Sequence, residues 1–178
     1  MRKSPPIHGL MAEFENEHDL VAAIRAARQA GYRKMDAYSP LPIHGLGKEL
    51  GFKTRLPIIV FLGGLTGMVA GYGLQYWASV IEYPLNIGGR PLHSWPSFIP
   101  ITFETTILFA AFSAVIGMLA LNGLPMPYHP VFNVKRFKLA SRNRFFLALE
   151  AVDPLFELEK TQEFLETLNP RGVYEVDA

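Results

Sequence analysis

The sequence predicts an α+β membrane protein in which a two-helix transmembrane hairpin is inserted into one small soluble domain. Three observations predict it. Residues 56–81 and 98–121 hold no Lys, Arg, Asp or His and only one Glu, and each run exceeds the ~20 residues that a helix needs to cross ~30 Å of hydrocarbon. The chain on either side, residues 1–55 and 122–178, is polar and reads twice as strand–helix–strand. Each such half has only about 30 to 45 structured residues, too few to bury a useful core, so the two are expected to fold together.

The elements follow in order. Residues 8–14 are a short apolar run and read as a strand. Asn16 is a helix cap, with Asp19 near the positive end of the helix dipole. Leu20, Val21, Ile24 and Ala27 recur at helical spacing, and Gly31 stops the helix at Ala30. Residues 32–38 read as a second strand, halted by Ser39-Pro40-Leu41-Pro42. After the hairpin, residues 144–151 are rich in Phe and Leu and read as a third strand. Asp153-Pro154 marks a turn or a helix start. Leu158, Phe164, Leu165 and Leu168 give an apolar helical face ending at Asn169-Pro170, and residues 173–176 make a last short strand. Two paired βαβ halves make a four-stranded antiparallel sheet with two helices on one face, the ferredoxin-like split-βαβ plan. The hairpin, spans 56–81 and 98–121 with loop 82–97, then sits in the connection between the second and third strands. Two spans return the chain to the side it left, so topology and span number agree.

The composition narrows the function. Cysteine is absent, which removes disulfides, thiolate metal sites, iron–sulfur ligation and a Cys nucleophile. A net charge of +1 provides no electrostatic footprint for nucleic acid. Met1-Arg2-Lys3-Ser4-Pro5-Pro6 leads into no apolar stretch of signal-peptide type, so no cleavable leader is expected. Residues 2–6 have the composition of a terminal segment that is often untethered. The five histidines, His8, His18, His44, His93 and His129, lie outside both spans and show no i, i+4 pair. Haem b needs facing axial ligands at membrane depth, so this chain is not expected to bind it alone. No catalytic grouping, phosphate loop or metal-site motif is visible, and neither cofactor nor enzyme activity is expected. Pro-Ile-His-Gly-Leu occurs at residues 6–10 and again at 42–46. Neither copy has acidic or Cys neighbours to complete a site, and the structural reading is preferred.

Basic residues set the expected orientation. Lys48, Lys53 and Arg55 precede the first span, Lys135, Arg136 and Lys138 follow the second, and the loop holds Arg90 alone. Both termini are therefore expected in the cytoplasm. Tyr72, Tyr76, Trp77, Tyr83, Trp95 and Phe98 gather toward the loop end as an interfacial belt would.

Within the spans two features carry a possible function. Gly63, Gly67 and Gly71 strip one face of the first span to backbone, and Ala110, Ser113, Ala114 and Gly117 offer small surfaces on the second. Either the two spans pack on each other through these residues, or the glycine face docks another subunit. Glu104 is the one ionisable residue well inside a span, and an intramembrane carboxylate is a functional candidate. It reaches water or headgroups at the outer interface, contacts a partner, or joins a proton path; the residues leave all three open.

With these parts in place the sequence resembles a known family. The stretches that carry the resemblance are Gly9-Leu10-Met11-Ala12-Glu13-Phe14, then Ala30-Gly31-Tyr32-Arg33-Lys34-Met35-Asp36-Ala37-Tyr38-Ser39-Pro40 leading to Pro42-Ile43-His44-Gly45. They continue in His129-Pro130-Val131-Phe132-Asn133 and in Arg144-Phe145-Phe146 with Asp153-Pro154. In this order, with two spans between, the chain is similar to the small membrane subunit of bacterial alternative complex III, a quinol:electron-acceptor oxidoreductase. The resemblance implies a supporting, cofactor-free piece of the bacterial cytoplasmic membrane. Its implied partners are a multi-span quinol-binding subunit and subunits carrying haem c and iron–sulfur clusters. A membrane-anchored ferredoxin-like sensor outside any respiratory complex is the alternative from another class.

Overall fold

The structure, a computed structural model, describes residues 7–178; the terminal residues 2–6 and the first residue of the first Pro-Ile-His-Gly-Leu copy lie outside them. The chain forms two compact units, one from the residues up to Phe52 together with Pro127–Ala178, the other from Lys53–Met126.

In the first unit, strand β1 (Ile7–Phe14) leads into helix α1 (Glu17–Ala30). Asn16 caps the helix as its sequence position predicts: its side-chain oxygen accepts from the Asp19 N–H at 2.9 Å. Gly31 ends it at φ +104°, a left-handed conformation that a side chain would strain. Leu20, Ala23, Ile24 and Ala27 form the buried face.

The second strand, β2 (Met35–Tyr38), is shorter than the 32–38 expected. Residues 32–34 are drawn off by Asp153. Its Oδ2 accepts the backbone N–H groups of Arg33 and Lys34, both at 2.7 Å, and its Oδ1 accepts that of Leu155 at 2.9 Å. Asp153-Pro154 is thus a turn, and the next helix begins later. After a short helix α2 (Leu46–Glu49) and the second unit, the chain resumes with β3 (Phe145–Glu150), α5 (Leu158–Thr167) and β4 (Gly172–Asp177). The sheet order is β2-β3-β1-β4, and every neighbouring pair is antiparallel. Leu10 pairs with Leu149, Ala12 with Leu147 and Phe14 with Phe145. Gly9 is obligatory, because a β-carbon there would collide with the Leu149 carbonyl oxygen. In the second pentapeptide copy Gly45 instead takes φ +80° ahead of α2. The shared Ile-His-Gly-Leu therefore serves one close approach and one turn.

Period-two alternation divides the sheet between two cores. Leu10, Ala12, Phe14, Leu147 and Leu149 pack under α1 and under Leu165 of α5. On this face the Tyr32 hydroxyl and Thr161 Oγ1 are 3.0 Å apart in the interior, whereas Leu158, expected in the apolar face, is exposed. Met11, Phe146, Ala148 and Val176 point the other way. They are covered by two 3₁₀ segments, Pro130–Asn133 and Lys135–Ser141, through Val131, Val134, Phe137 and Ala140. This second layer has no counterpart in the sequence pattern.

The second unit is a pair of long apolar helices. Helix α3 (Leu56–Tyr76) runs on into a π-helical turn, Trp77–Glu82, and α4 (Trp95–Leu121) follows the loop. Both are long and apolar enough to cross a membrane.

Candidate functional site: the glycine seam and Glu104

The seam between α3 and α4 is built from backbone. Residues Gly63, Gly67 and Gly71 recur every four positions and so stack on one helix face. A β-carbon at Gly67 would lie 2.5 Å from the Thr105 carbonyl oxygen and 2.8 Å from Phe109 Cβ; at Gly63 it would collide with Ser113, and at Gly71 with the Thr105 side chain. At the other end Gly117 of α4 admits Ile59 and Leu56, each 3.1 Å from where its β-carbon would be. Ala110 faces Gly64, at 3.5 Å on the same measure, and Ala114 is half-buried. The glycine face expected from sequence therefore meets the partner helix of the same hairpin.

The same helical row continues to Gln75, a residue that no sequence pattern singles out. Its side-chain amide donates to the Phe98 carbonyl at 3.1 Å, to Thr102 Oγ1 at 3.2 Å and to the Gly71 carbonyl at 3.0 Å. Two other threonine hydroxyls of α4 are satisfied within their own helix: Thr105 donates to the Ile101 carbonyl at 2.9 Å and Thr106 to the Thr102 carbonyl at 2.6 Å. Buried polar groups in this seam thus hold one another and need no water. Toward the loop, the His93 ring stands against Tyr72, Tyr76 and Phe98, with Nε2 2.6 Å from the Tyr72 hydroxyl oxygen.

Glu104 is on none of these surfaces. Thr102, Thr105, Thr106, Ala110 and Ser113 mark the seam side of α4; at about 100° per residue, Glu104 stands roughly 200° from Thr102. Its side chain is exposed on the outside of the helix pair and, among the described residues, has no hydrogen-bond or ion-pair partner.

Among the described residues the four-stranded unit holds one acid that is wholly buried and paired, Glu13 of β1. Arg136, from the second 3₁₀ segment, grips it with Nε at 2.6 Å and Nη2 at 2.8 Å. The Tyr174 hydroxyl donates at 3.1 Å and Arg144 Nε lies 3.5 Å away. The Arg136 hydrogen bonds hold the Glu13 carboxyl below its ordinary range, against the opposing effect of burial. The visible signal was a lone charge inside an otherwise apolar strand. The histidines scatter: His8 and His129 meet edge-to-face at 5.3 Å, while His18 and His44 border one open groove beside α1.

Comparison with curated proteins returns no match. A family model described as alternative complex III, ActD subunit, matches residues 8–175, from the first strand through both apolar helices to the last strand. Since that match spans nearly every residue of both units, the chain belongs to the ActD subunit family of alternative complex III.

Proposed function

We propose that the chain is a cofactor-free structural and assembly subunit of a respiratory quinol-oxidising membrane complex, alternative complex III. The observation that carries this reading is the family match over residues 8–175. Its chemistry is to hold position. The helix pair anchors the chain in the bacterial cytoplasmic membrane, and the four-stranded unit stands on the cytoplasmic side as the ferredoxin-like half of the molecule. The order β2-β3-β1-β4 with α1 and α5 on one face supports that fold assignment. Lys48, Lys53, Arg55, Lys135, Arg136 and Lys138 beside the span ends, against Arg90 in the loop, support the orientation. The redox centres and the quinol site belong, in this reading, to the haem c, iron–sulfur and multi-span partner subunits.

The test is to tag Ala178, solubilise the membranes in mild detergent, and run a native gel with haem staining and peptide identification. Co-migration with a large haem-staining assembly containing multi-span partners is the expected result. Migration alone or as a small haem-free oligomer would overturn it and favour a free-standing sensor. A second role in proton movement rests on Glu104 alone: a Glu104→Gln complex that assembles normally but moves fewer protons per turnover would establish it, and normal proton movement would end it.

A further inference from the structure

We infer that the outward face of α4 centred on Glu104 docks a transmembrane helix of a neighbouring subunit, which brings a hydrogen-bond-donating side chain to the carboxyl group. The inference rests on the proposed membership of a multi-subunit membrane complex and names the surface through which that membership is exercised.

The first support is position. Glu104 lies six residues from Phe98, about 9 Å along the axis at 1.5 Å per residue, and so well inside a hydrocarbon layer ~30 Å thick. Polar groups at such depth are retained facing protein or a water-filled cavity, not lipid. The second support is the direction of the side chain. It leaves the hairpin on the side away from α3, so the seam cannot supply its partner. The third is that the polar side chains of the seam nearest in depth are engaged away from it. Gln75 is committed to Phe98, Thr102 and Gly71 across the seam. Thr66, Thr105 and Thr106 donate to carbonyls of their own helices. None of the described residues donates to Glu104, so the inference takes its complementary donor from another chain.

The face is also shaped for close approach. Pro100, one turn before Glu104, has no backbone N–H, and Ala111, two turns after it, keeps the helix surface low. Ile107 and Leu108 flank this line, each about half exposed, and supply apolar contact. In membranes helices associate through such packing reinforced by interhelical hydrogen bonds. A carboxyl among exposed apolar residues thus fits one kind of occupant, a helix with a donor at matching depth.

The experiment uses the complex purified through a tag at Ala178. A photo-crosslinking residue is placed at Leu108 or Ala111 on the Glu104 face, and at Phe61 on the outside of α3 as a comparison. Glu104→Leu is assayed for co-purification, with membrane-inserted chain measured separately as the folding control. The expected result is crosslinking from positions 108 and 111 to another protein subunit. With Glu104→Leu inserted normally, roughly tenfold less partner should co-purify, the loss of about one interhelical hydrogen bond. Crosslinks from 108 and 111 to lipid alone, with Glu104→Leu retaining its partners, would overturn the inference while leaving the subunit reading intact. A wild-type chain that purifies without partners would instead sink the subunit reading itself.

Discussion

A carboxylate in the middle of a sheet needs a partner on each open side, and Glu13 has Arg136, Tyr174 and Arg144. Glu13→Ala leaves those donors facing a void, and we expect the four-stranded unit to lose about 2–4 kcal/mol, read from hydrogen exchange of the β1 amides. The pH dependence follows from the same contacts. Folding lowers the Glu13 carboxyl below its ordinary value, chiefly through the Arg136 hydrogen bonds. Asp153 is lowered too: burial opposes its charge, but the N–H groups of Leu155, Lys34 and Arg33 outweigh it. Both therefore bind protons more readily when unfolded, so their stabilisation is complete above the unfolded values near pH ~4 and is lost as pH falls through the folded ones. The unit should weaken steadily below about pH 4.5, and Glu13→Gln should flatten that slope. A variant with an unchanged acid slope would contradict the assignment. At the surface, Asn16→Ala should cost about 1 kcal/mol by leaving the Asp19 N–H uncapped.

At the scale of elements, the α3–α4 pair depends on the absence of side chains at three positions. Gly67 meets a backbone carbonyl, which cannot swing aside, so even Gly67→Ala must push the helices apart. Gly73, off the row, has open space around its missing β-carbon. We expect Gly67→Leu to reduce helix-pair stability in detergent by about 1–3 kcal/mol through overpacking, and Gly73→Ala to be neutral or slightly stabilising. Equal behaviour of the two variants in a thermal melt of the purified chain would show that the seam is not where α3 and α4 meet. The small residues were legible in the sequence, but their use was not. Packing places that face against α4, which the spacing alone does not reveal, because it is the same for an internal seam and an external face.

For the whole molecule the sheet order carries the main consequence. Strands β1 and β2 both come from the first half of the chain, yet they do not pair with each other. β1 lies between β3 and β4, and β2 reaches the sheet only through β3. A chain ending at Met126 would retain the helix pair but have no sheet at all. Limited proteolysis should then digest residues 7–52 rapidly while leaving residues 53–126 protected in detergent micelles. A protease-resistant N-terminal half would refute this dependence. The core agrees with it, since Leu20 and Ile24 of α1 pack with Leu147, Leu149 and Leu165 from beyond the apolar helices.

Features that neighbouring residues settle between them were readable from the chain alone. Asn16 and Gly31 bound α1 because a cap and a left-handed stop act within one turn of chain. The apolar runs declared two helices of membrane-crossing length because hydropathy accumulates along a single segment. Tertiary structure decided whatever joins residues distant in sequence. Asp153 shortens β2 from 120 residues away by taking the Arg33 N–H. Arg136 finds Glu13 from 123 residues away, bringing with it a 3₁₀ layer that has no periodicity to announce it. Gln75 closes the helix seam and Glu104 is left outside it, a distinction set by how one helix is rotated against the other.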